Sequence, residues 1–426
     1  MNKMLLFIVL IVALCMSQPA AHAQNGLPSY ELKFAPDLWY NDVDGIRIGI
    51  RMRGQVPATF DEGPHRLDTG LWLGTWLPKM PVSYYVKYTN PIETISDFNS
   101  EGSYSVISSY RTGFHRHAAR FDKRWQPGFN EDEYTKAFVF TGAHRHVDDE
   151  YLPFPVLFQD EWTGFLWGGL EQQRLSDIGT TYLALQLRSG ITESSDMFLQ
   201  ARGEVRFSRD LFSDRLTFRA RLSGGAQGGD VTPEYSTLAG MSPGIEWMNS
   251  GFFRAKGTIP MPWMNSGNIQ VTGSGPNIRG YANRDVELLK QGILYGYDFY
   301  GALNLEMDYP NPIDMMFSRI PVLGDFLRMR SYMFFDYING EVSFIENPAV
   351  MPVPGAGAGV GTPAPKGNVA DAGTGFALTL NIPDQLGNPR GFVLRYDIPF
   401  WLSDPETENK NFKFRSVFSF GAVIGF

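Results

Sequence analysis

Polar and apolar residues alternate with a period of two in many short segments of this chain. The pattern is clear in IRIGIRMR at 46–53, LTFRARLS at 216–223 and FALTLNI at 376–382, and it recurs in YLALQLRS, LNLEMDY and VLRYDIPF. Successive side chains of a β-strand point to opposite faces of the sheet, so these segments predict strands with one apolar and one polar face. Since no internal run of 18 or more apolar residues occurs, no transmembrane helix is predicted. The fold class is therefore all-β.

Two architectures produce such strands. In a soluble sandwich the apolar face points into the core, whereas in a membrane barrel it meets lipid and the polar face lines the lumen. Alternation alone does not decide between them. Tryptophan and tyrosine cluster near the predicted strand ends, as in the interfacial girdles of membrane barrels, for example in WY at 39–40, YY at 84–85 and FW at 400–401. Closure into a barrel would also remove exposed sheet edges. We therefore expect a closed antiparallel transmembrane β-barrel.

The first residues have the features of an export signal. A positive charge, Lys3, precedes an apolar run over 4–16, and the small-residue pattern Ala-His-Ala follows at 21–23. We predict that 1–23 are a secretory signal peptide and that 24–426 form one outer-membrane barrel domain. The single cysteine of the sequence falls inside this signal, so the mature chain is expected to fold without disulfides.

Charge and motifs exclude several function classes. The chain carries 37 Lys and Arg against 45 Asp and Glu, a net charge of −8, which disfavours nucleic acid as a partner. It contains no nucleophile elbow, Walker loop or HExxH motif. The histidines and aspartates of GAHRHVDDE at 142–150 converge on one strand face or form a solvated loop tip, and we predict no metal there because zinc needs three or four well-placed ligands. We predict no catalytic residue, no cofactor and no metal, and hence a protein that is not an enzyme.

The chain ends on the strand-like segment SFGAVIGF at 419–426. A polar residue, a glycine two positions later, then a hydrophobic residue and a terminal aromatic residue resemble the assembly signal of outer-membrane barrels. Ser419, Gly421, Ile424 and Phe426 fill these four positions. The resemblance implies that the barrel assembly machinery binds this strand during biogenesis.

A loop signature narrows the resemblance to one family. In SGPNIRGYANRD at 274–285, Arg279, Gly280 and Tyr281 resemble the Arg-Gly-Phe/Tyr signature of the BamA/TamA/FhaC superfamily, the bacterial surface antigens. This resemblance implies a barrel of about 16 strands. It also implies that the signature loop, the sixth extracellular loop, folds inward into the lumen, where Arg279 pairs with an aspartate of a Phe-x-Asp-x-Gly motif on the thirteenth strand.

The aspartate motif is present with one departure. In YMFFDYING at 332–340, Phe334 and Asp336 match it, whereas Ile338 stands where the family has glycine. We therefore predict an Arg279–Asp336 pair. Tyr281 should pack beside Phe334 or another aromatic side chain of the lumen.

The order of segments also agrees with the family, since five predicted strands follow the signature loop. The predicted strands begin near residue 31, which leaves no room after the signal for the periplasmic POTRA repeats, so we expect a POTRA-less member. Residues 311–329 suggest a short interfacial helix or an irregular turn at the periplasmic end. The Pro/Gly/Ala-rich segment at 347–373 is predicted to be the seventh extracellular loop.

The resemblance implies a role in protein or lipid insertion, assembly or translocation at the bacterial outer membrane. The implied partners are outer-membrane lipid and lipopolysaccharide, the barrel assembly machinery and a periplasmic protein. The alternative from another class is a passive or gated outer-membrane channel or transporter that is plugged by the Arg279 loop. The sequence leaves this choice open, because fold alone does not fix function.

Overall fold

The computed structural model describes residues 30–56, 66–128, 130, 132–193, 197–212, 216–250, 255–259, 269–271, 275–317, 320, 327–345, 364–383, 389–405 and 410–423. The predicted signal peptide and the last three residues lie outside the described residues.

The described residues form a single sheet of 17 strands. Its strands are β1 Glu31–Asn41, β2 Gly45–Gln55, β3 Arg66–Gly74, β4 Val82–Pro91, β5 Ser100–Arg111, β6 Phe114–Trp125, β7 Tyr134–His146, β8 Thr163–Ser176, β9 Gly179–Thr192, β10 Phe198–Asp210, β11 Thr217–Gly229, β12 Ile269–Val271, β13 Tyr295–Tyr309, β14 Leu327–Phe344, β15 Val369–Pro383, β16 Pro389–Leu402 and β17 Val417–Val423. The described part of the chain has sixteen longer strands, all antiparallel to their long neighbours, and the three-residue β12. The all-β prediction is confirmed.

Each long strand pairs with its neighbours in the chain. Pairing runs from β1–β2 through β10–β11, passes from β11 to β13, and continues from β13–β14 to β16–β17. With β12 set aside, β14 is the thirteenth long strand, so Asp336 occupies the strand that the resemblance implied. Five strands, β13 to β17, follow the signature loop as predicted.

The sheet has two chemically different faces, as the period-two pattern predicts. On β2, Ile46, Ile48 and Ile50 are 51–56% exposed, whereas the intervening Arg47 is 5% exposed. Other strands also carry large, exposed apolar side chains. They include Leu38, Val106, Val139, Leu166, Leu187, Leu199, Leu222, Phe299 and Met333. We call this the apolar face, and the opposite one, which carries the arginines and carboxylates, the covered face.

The first and last strands do not pair with each other in the described residues. β1 pairs with β2 alone, whereas β17 pairs with β16 on one side and, in parallel, with β12. The β12 register joins Ile269 to Phe418 and Val271 to Phe420. The predicted closure of the sheet is therefore not present between these strands in the described residues, where β12, from the connection that precedes the signature loop, pairs with β17.

Three connections at one end of the sheet cover one of its faces. They contain the helices α1 Gly244–Ser250 and α2 Ala282–Lys290 and several single 3-10 turns. Their apolar side chains join those of the strands in one buried cluster, with Leu157, Trp247, Met248 and Val286 from the connections and Phe140, Phe165, Trp167 and Phe198 from the strands. This packing buries the aromatic part of the covered face under the connections.

Two sequence predictions about connections are resolved. At the other end of the sheet, α3 Pro312–Phe317 is a short helix, so the helical alternative for 311–329 holds over those residues. The loop predicted over 347–373 ends earlier than expected, because β15 begins at Val369. The last five residues of that Gly/Ala-rich segment are strand, paired with β14. In the described residues, no helix has both the length and the apolar character to cross a membrane.

We predict that the protein migrates differently on a gel with and without boiling. Every described long strand is held by backbone hydrogen bonds to its neighbours, and their loss in an apolar surrounding would leave many polar groups without partners. Folded protein in detergent should therefore run as a compact form until it is heated. Identical mobility of boiled and unboiled samples would contradict the predicted membrane barrel.

Candidate functional site

The signature loop presents Arg279 on a short, tightly turned segment. Asn277 and Gly275 have φ of +59° and +79°, a left-handed conformation that suits glycine and asparagine. A 3-10 helix over Arg279–Tyr281 follows and leads directly into α2. The backbone N–H of Ile278 donates to the carbonyl of Ala239 at 2.9 Å, which ties the turn to the neighbouring connection. This geometry directs the arginine toward the covered face.

Arg279 forms a two-pronged ion pair with Asp336 on β14. Nε lies 2.7 Å from Oδ2 and Nη2 lies 2.9 Å from Oδ1. The two side chains are 1% and 0% exposed. Asn304 donates a further hydrogen bond to Asp336 at 3.0 Å. A bidentate arginine–carboxylate pair fixes orientation as well as charge, so the loop is held at a defined position on the sheet. The structure thus brings together the two residues that the resemblance paired.

Two further carboxylates face the same guanidinium. Nη1 of Arg279 lies 2.9 Å from Glu306 on β13 and 3.7 Å from Asp397 on β16. The guanidinium also sits 4.0 Å from the ring centre of Phe334, a cation–π contact. Burial opposes the charge of Arg279, but the carboxylates of Asp336, Glu306 and Asp397 outweigh it and hold its pKa well above the usual value. Arg279 therefore stays protonated.

A second layer of arginines balances these carboxylates. Glu306 is 2.7 Å from Arg330 and 2.9 Å from Arg395. Tyr332 donates to Asp397 at 2.6 Å and accepts from Arg395 at 2.9 Å. The charges on β13, β14 and β16 thus form one connected network. A buried charge is tolerated when it is paired and hydrogen-bonded, and the network meets that condition for Arg279.

A second anchor joins the loop backbone to β15. The backbone N–H of Gly280 donates to the carboxylate of Asp371, which is 0% exposed and lies opposite Asp336 in the strand pairing. A Cβ atom on Gly280 would lie 2.3 Å from Cδ2 of Leu402 and 2.6 Å from Oδ2 of Asp371. Only glycine allows this approach. Sequence reasoning missed Asp371, because it falls in a Gly/Ala-rich segment that resembles a loop.

Tyr281 packs beside aromatic side chains other than Phe334, which is the second of the two predicted arrangements. It is buried in a cluster with Tyr297, Tyr300 and Ile338, while Phe334 lies under Arg279 instead. The hydroxyl of Tyr281 accepts from the backbone N–H of Asp404 at 3.0 Å. Ile338, which stands where the resembled motif has glycine, is fully buried and packs beside the tyrosines. The departure from the motif is therefore accommodated by apolar packing.

The C-terminal signal is described only in part. Ser419 is fully buried on β17 and lies opposite Arg395 on β16, and Gly421 lies opposite Val393. Ile424 and Phe426 lie outside the described residues. The assembly-signal assignment stays a prediction.

The contacts around Arg279 anchor the signature loop to the sheet. In the part of the chain that the structure describes, no three His, Cys, Asp or Glu side chains are grouped as metal ligands. His144 and His146, from the segment weighed as a metal site, lie on β7 and are each 3% exposed, so they are on a strand and not in a solvated loop. His144 faces Glu234 at 3.4 Å. The groups around Arg279 are paired with one another, so the arrangement can hold or release a loop.

Comparisons with known proteins give structural neighbours. No protein-family model and no curated protein matches the chain. BamA from Haemophilus ducreyi lacking POTRA domains 1-3 is similar in structure at 11% identity and a TM-score of 0.44, covering 93% of this chain and 71% of that one. CdiB from Escherichia coli is 9% identical with a TM-score of 0.43, and the match covers 93% of this chain and 64% of that one. CdiB from Acinetobacter baumannii is 11% identical with a TM-score of 0.39, and the match covers 92% of this chain and 58% of that one. The chain thus spans less than two thirds of the CdiB chains.

We predict that Arg279→Gln lowers the free energy of unfolding by about 3–5 kcal/mol, because it leaves several buried carboxylates without their cation. Asp336→Asn should cost less, because Arg279 keeps Glu306 at 2.9 Å. Denaturant titration of the folded protein measures both. Arg219→Gln is the control: Arg219 is 37% exposed in its pair with Asp308 and should cost about 0–1 kcal/mol. Equal losses for Arg279→Gln and Arg219→Gln would contradict the network.

The close approach of Gly280 to the sheet can be tested with a second pair of variants. Gly280→Ala should destabilise the docked loop by about 1–3 kcal/mol, because the new methyl group overlaps Leu402 and Asp371. Gly301→Ala on β13 is the control, since a Cβ there meets nothing within 4 Å, and it should change stability little. The same denaturant titration compares them. If the two substitutions behave alike, Gly280 does not approach the sheet as described.

Proposed function

We propose that this chain is an integral barrel of the bacterial outer membrane. The support is the continuous apolar face, on which large side chains such as Leu38 and Leu187 are 68% and 60% exposed. A soluble protein rarely exposes apolar patches of this extent, whereas the outer wall of a membrane barrel requires them. The covered face then lines the lumen, and the Arg279 loop folds inward from the extracellular end.

The function that the geometry supports best is the insertion or translocation of polypeptide at the outer membrane, without enzymatic chemistry. One observation carries this proposal: in the described residues β1 and β17 do not pair, and the edge of β17 pairs with only three residues of β12. A strand edge presents backbone donors and acceptors on which another extended chain can pair. The junction of β1 and β17, which we call the seam, is the place where a client strand is received.

The ion-pair network stabilises the strands next to the seam. Asp397 and Arg395 of the network lie on β16, the strand next to β17. Arg279 therefore couples the signature loop to the wall one strand from the seam. A docked loop keeps β13 to β16 in a fixed arrangement while β17 exchanges partners. Outer-membrane lipid and lipopolysaccharide surround the barrel, the barrel assembly machinery inserts it, and a periplasmic protein delivers clients.

A second candidate is a gated channel that the loop plugs. It is favoured by the buried cluster that joins the connections to Phe140, Trp167 and Phe198 of the wall, because such packing occludes a lumen. A channel would conduct ions when the loop is released. Asp336→Asn should then raise conductance in planar bilayers.

Photo-crosslinking at matched positions separates the two functions. A photoreactive residue in place of Leu38 on β1, beside the seam, should capture newly made outer-membrane polypeptides, and the adducts should disappear when synthesis stops. The control replaces Leu187 on β9, which is similarly exposed on the apolar face and should capture no polypeptide. Equal capture at both positions, or none at Leu38 together with increased conductance of Asp336→Asn, would reject the insertase proposal in favour of the channel.

A further inference from the structure

A group of arginines away from the signature loop lacks matching carboxylates. It lies on the covered face of β2, β5 and β6 and consists of Arg47, Arg51, Arg111 and Arg116, which we call the arginine cluster. Arg47 and Arg111 lie 5.8 Å and 5.5 Å from the ring centre of Trp72 on β3. Arg116 on β6 pairs with Ser109, two residues before Arg111 on the same face of β5, so the two arginines are diagonal neighbours. Four positive groups thus share a small region.

Two carboxylates stand near the cluster, and both are already engaged. Asp44 lies 3.4 Å from Nε of Arg47 and accepts hydrogen bonds from Asn41 at 2.9 Å and from the Tyr151 hydroxyl at 2.7 Å. Its oxygens therefore have little capacity left for a second arginine.

Asp37 is engaged in the same way. It accepts from Nε1 of Trp72 at 2.7 Å and lies 3.6 Å from Nε of Arg51. With Asp37 and Asp44 assigned to Arg51 and Arg47, the cluster keeps an excess of two positive charges.

Those two charges belong to Arg111 and Arg116. Among the described residues, neither has a carboxylate within ion-pair distance, and the Nε of each is buried without a hydrogen bond. Arg111 is held between the rings of Trp72 and Tyr85, whose centres are 5.5 Å and 5.2 Å away. Arg116 donates to the neutral Oδ1 of Asn249 on α1 at 2.6 Å. The aromatic rings and α1 fix the guanidinium groups but do not neutralise them.

Like charges at close range and partly removed from water are costly without a counterion. Removal of a neighbouring charge or binding of an anion would relieve this cost. Guanidinium groups match the oxygens of phosphate in geometry, and their planar donors are already oriented here by stacking. An excess of two positive charges fits a doubly charged group better than chloride.

We propose that the arginine cluster binds a phosphate group, with Arg111 and Arg116 as its principal donors. The phosphate is either a free phosphate ion or a phosphate monoester on a lipid headgroup. This site is independent of the Arg279 network and of polypeptide handling. In the described residues, Asp37 and Asp44 balance only two of its four arginines.

Thermal unfolding in detergent, followed by far-UV circular dichroism, tests the proposal. Inorganic phosphate should raise the Tm of the wild-type protein with the logarithm of its concentration, as expected for a ligand of the folded state. Sodium chloride of equal ionic strength should not. In Arg111→Gln the apparent Kd for phosphate should rise about tenfold or more. The Tm without phosphate should be no lower than that of wild type, because an uncompensated charge is removed.

Arg120→Gln is the matched control. Arg120 lies on the same face of β6 as Arg116, but it is paired with Asp122 at 2.8 and 2.9 Å. The Arg120→Gln variant should be less stable than the wild-type protein but should show the same Tm response to phosphate. If Arg111→Gln does not fold, Arg116→Gln takes its place. Equal responses to phosphate in the cluster variant and in Arg120→Gln would overturn the site.

Reconstitution distinguishes the two sources of phosphate. The protein is placed in phosphatidylcholine vesicles with or without phosphatidic acid, and inorganic phosphate is added to each. A Tm shift with added phosphate in plain vesicles assigns a soluble ligand, and a shift only with phosphatidic acid assigns a headgroup. The absence of a shift with either phosphate source overturns the proposal.

Discussion

The buried ion pair between Arg279 and Asp336 is the interaction on which the arrangement of the signature loop depends. A single guanidinium at 1% exposure meets the carboxylates of Asp336 and Glu306 at hydrogen-bonding distance. Without Arg279 these carboxylates would be buried charges without their cation, and without Asp336 the loop would lose its bidentate anchor on β14. The loop therefore cannot leave the sheet unless the remaining arginines and water replace Arg279. The charge network, and not the flexibility of the loop, therefore determines the position of the loop.

The covered face is divided into two electrostatic regions. Around β13 to β16, arginines and carboxylates are interleaved, and Glu306 alone contacts Arg279, Arg330 and Arg395. Around β2 to β6, Arg111 and Arg116 remain without carboxylate partners in the described residues. The first region holds the protein's own loop, and the second has the unbalanced charge that an external anion can neutralise. The two regions lie on opposite sides of the seam, so occupancy of one need not disturb the other.

Much of the sheet and one contact of the site could be predicted from the sequence. Alternation at segments such as 46–53 predicted both the strands and their faces, because strand geometry imposes a period of two. The Arg279–Asp336 pair came from a short motif resemblance. Asp371 was missed because its neighbours are glycine and alanine, which carry no strand signal, and its role depends on pairing with β14. The parallel contact of β12 was equally invisible, since it covers only three residues and is set by distant parts of the chain.

Hydrogen–deuterium exchange of the folded protein tests most directly whether the ion pair holds the loop. If the ion pair holds the loop, the backbone amides of 277–290 exchange slowly in the wild-type protein. They should become fast in Asp336→Asn, while the paired strands keep their protection. Asp308→Asn, which removes a carboxylate that contacts Arg219 and Arg330 but not Arg279, should leave the loop protected. Fast exchange of 277–290 in the wild-type protein, or unchanged protection in Asp336→Asn, would show that the ion pair does not hold the loop.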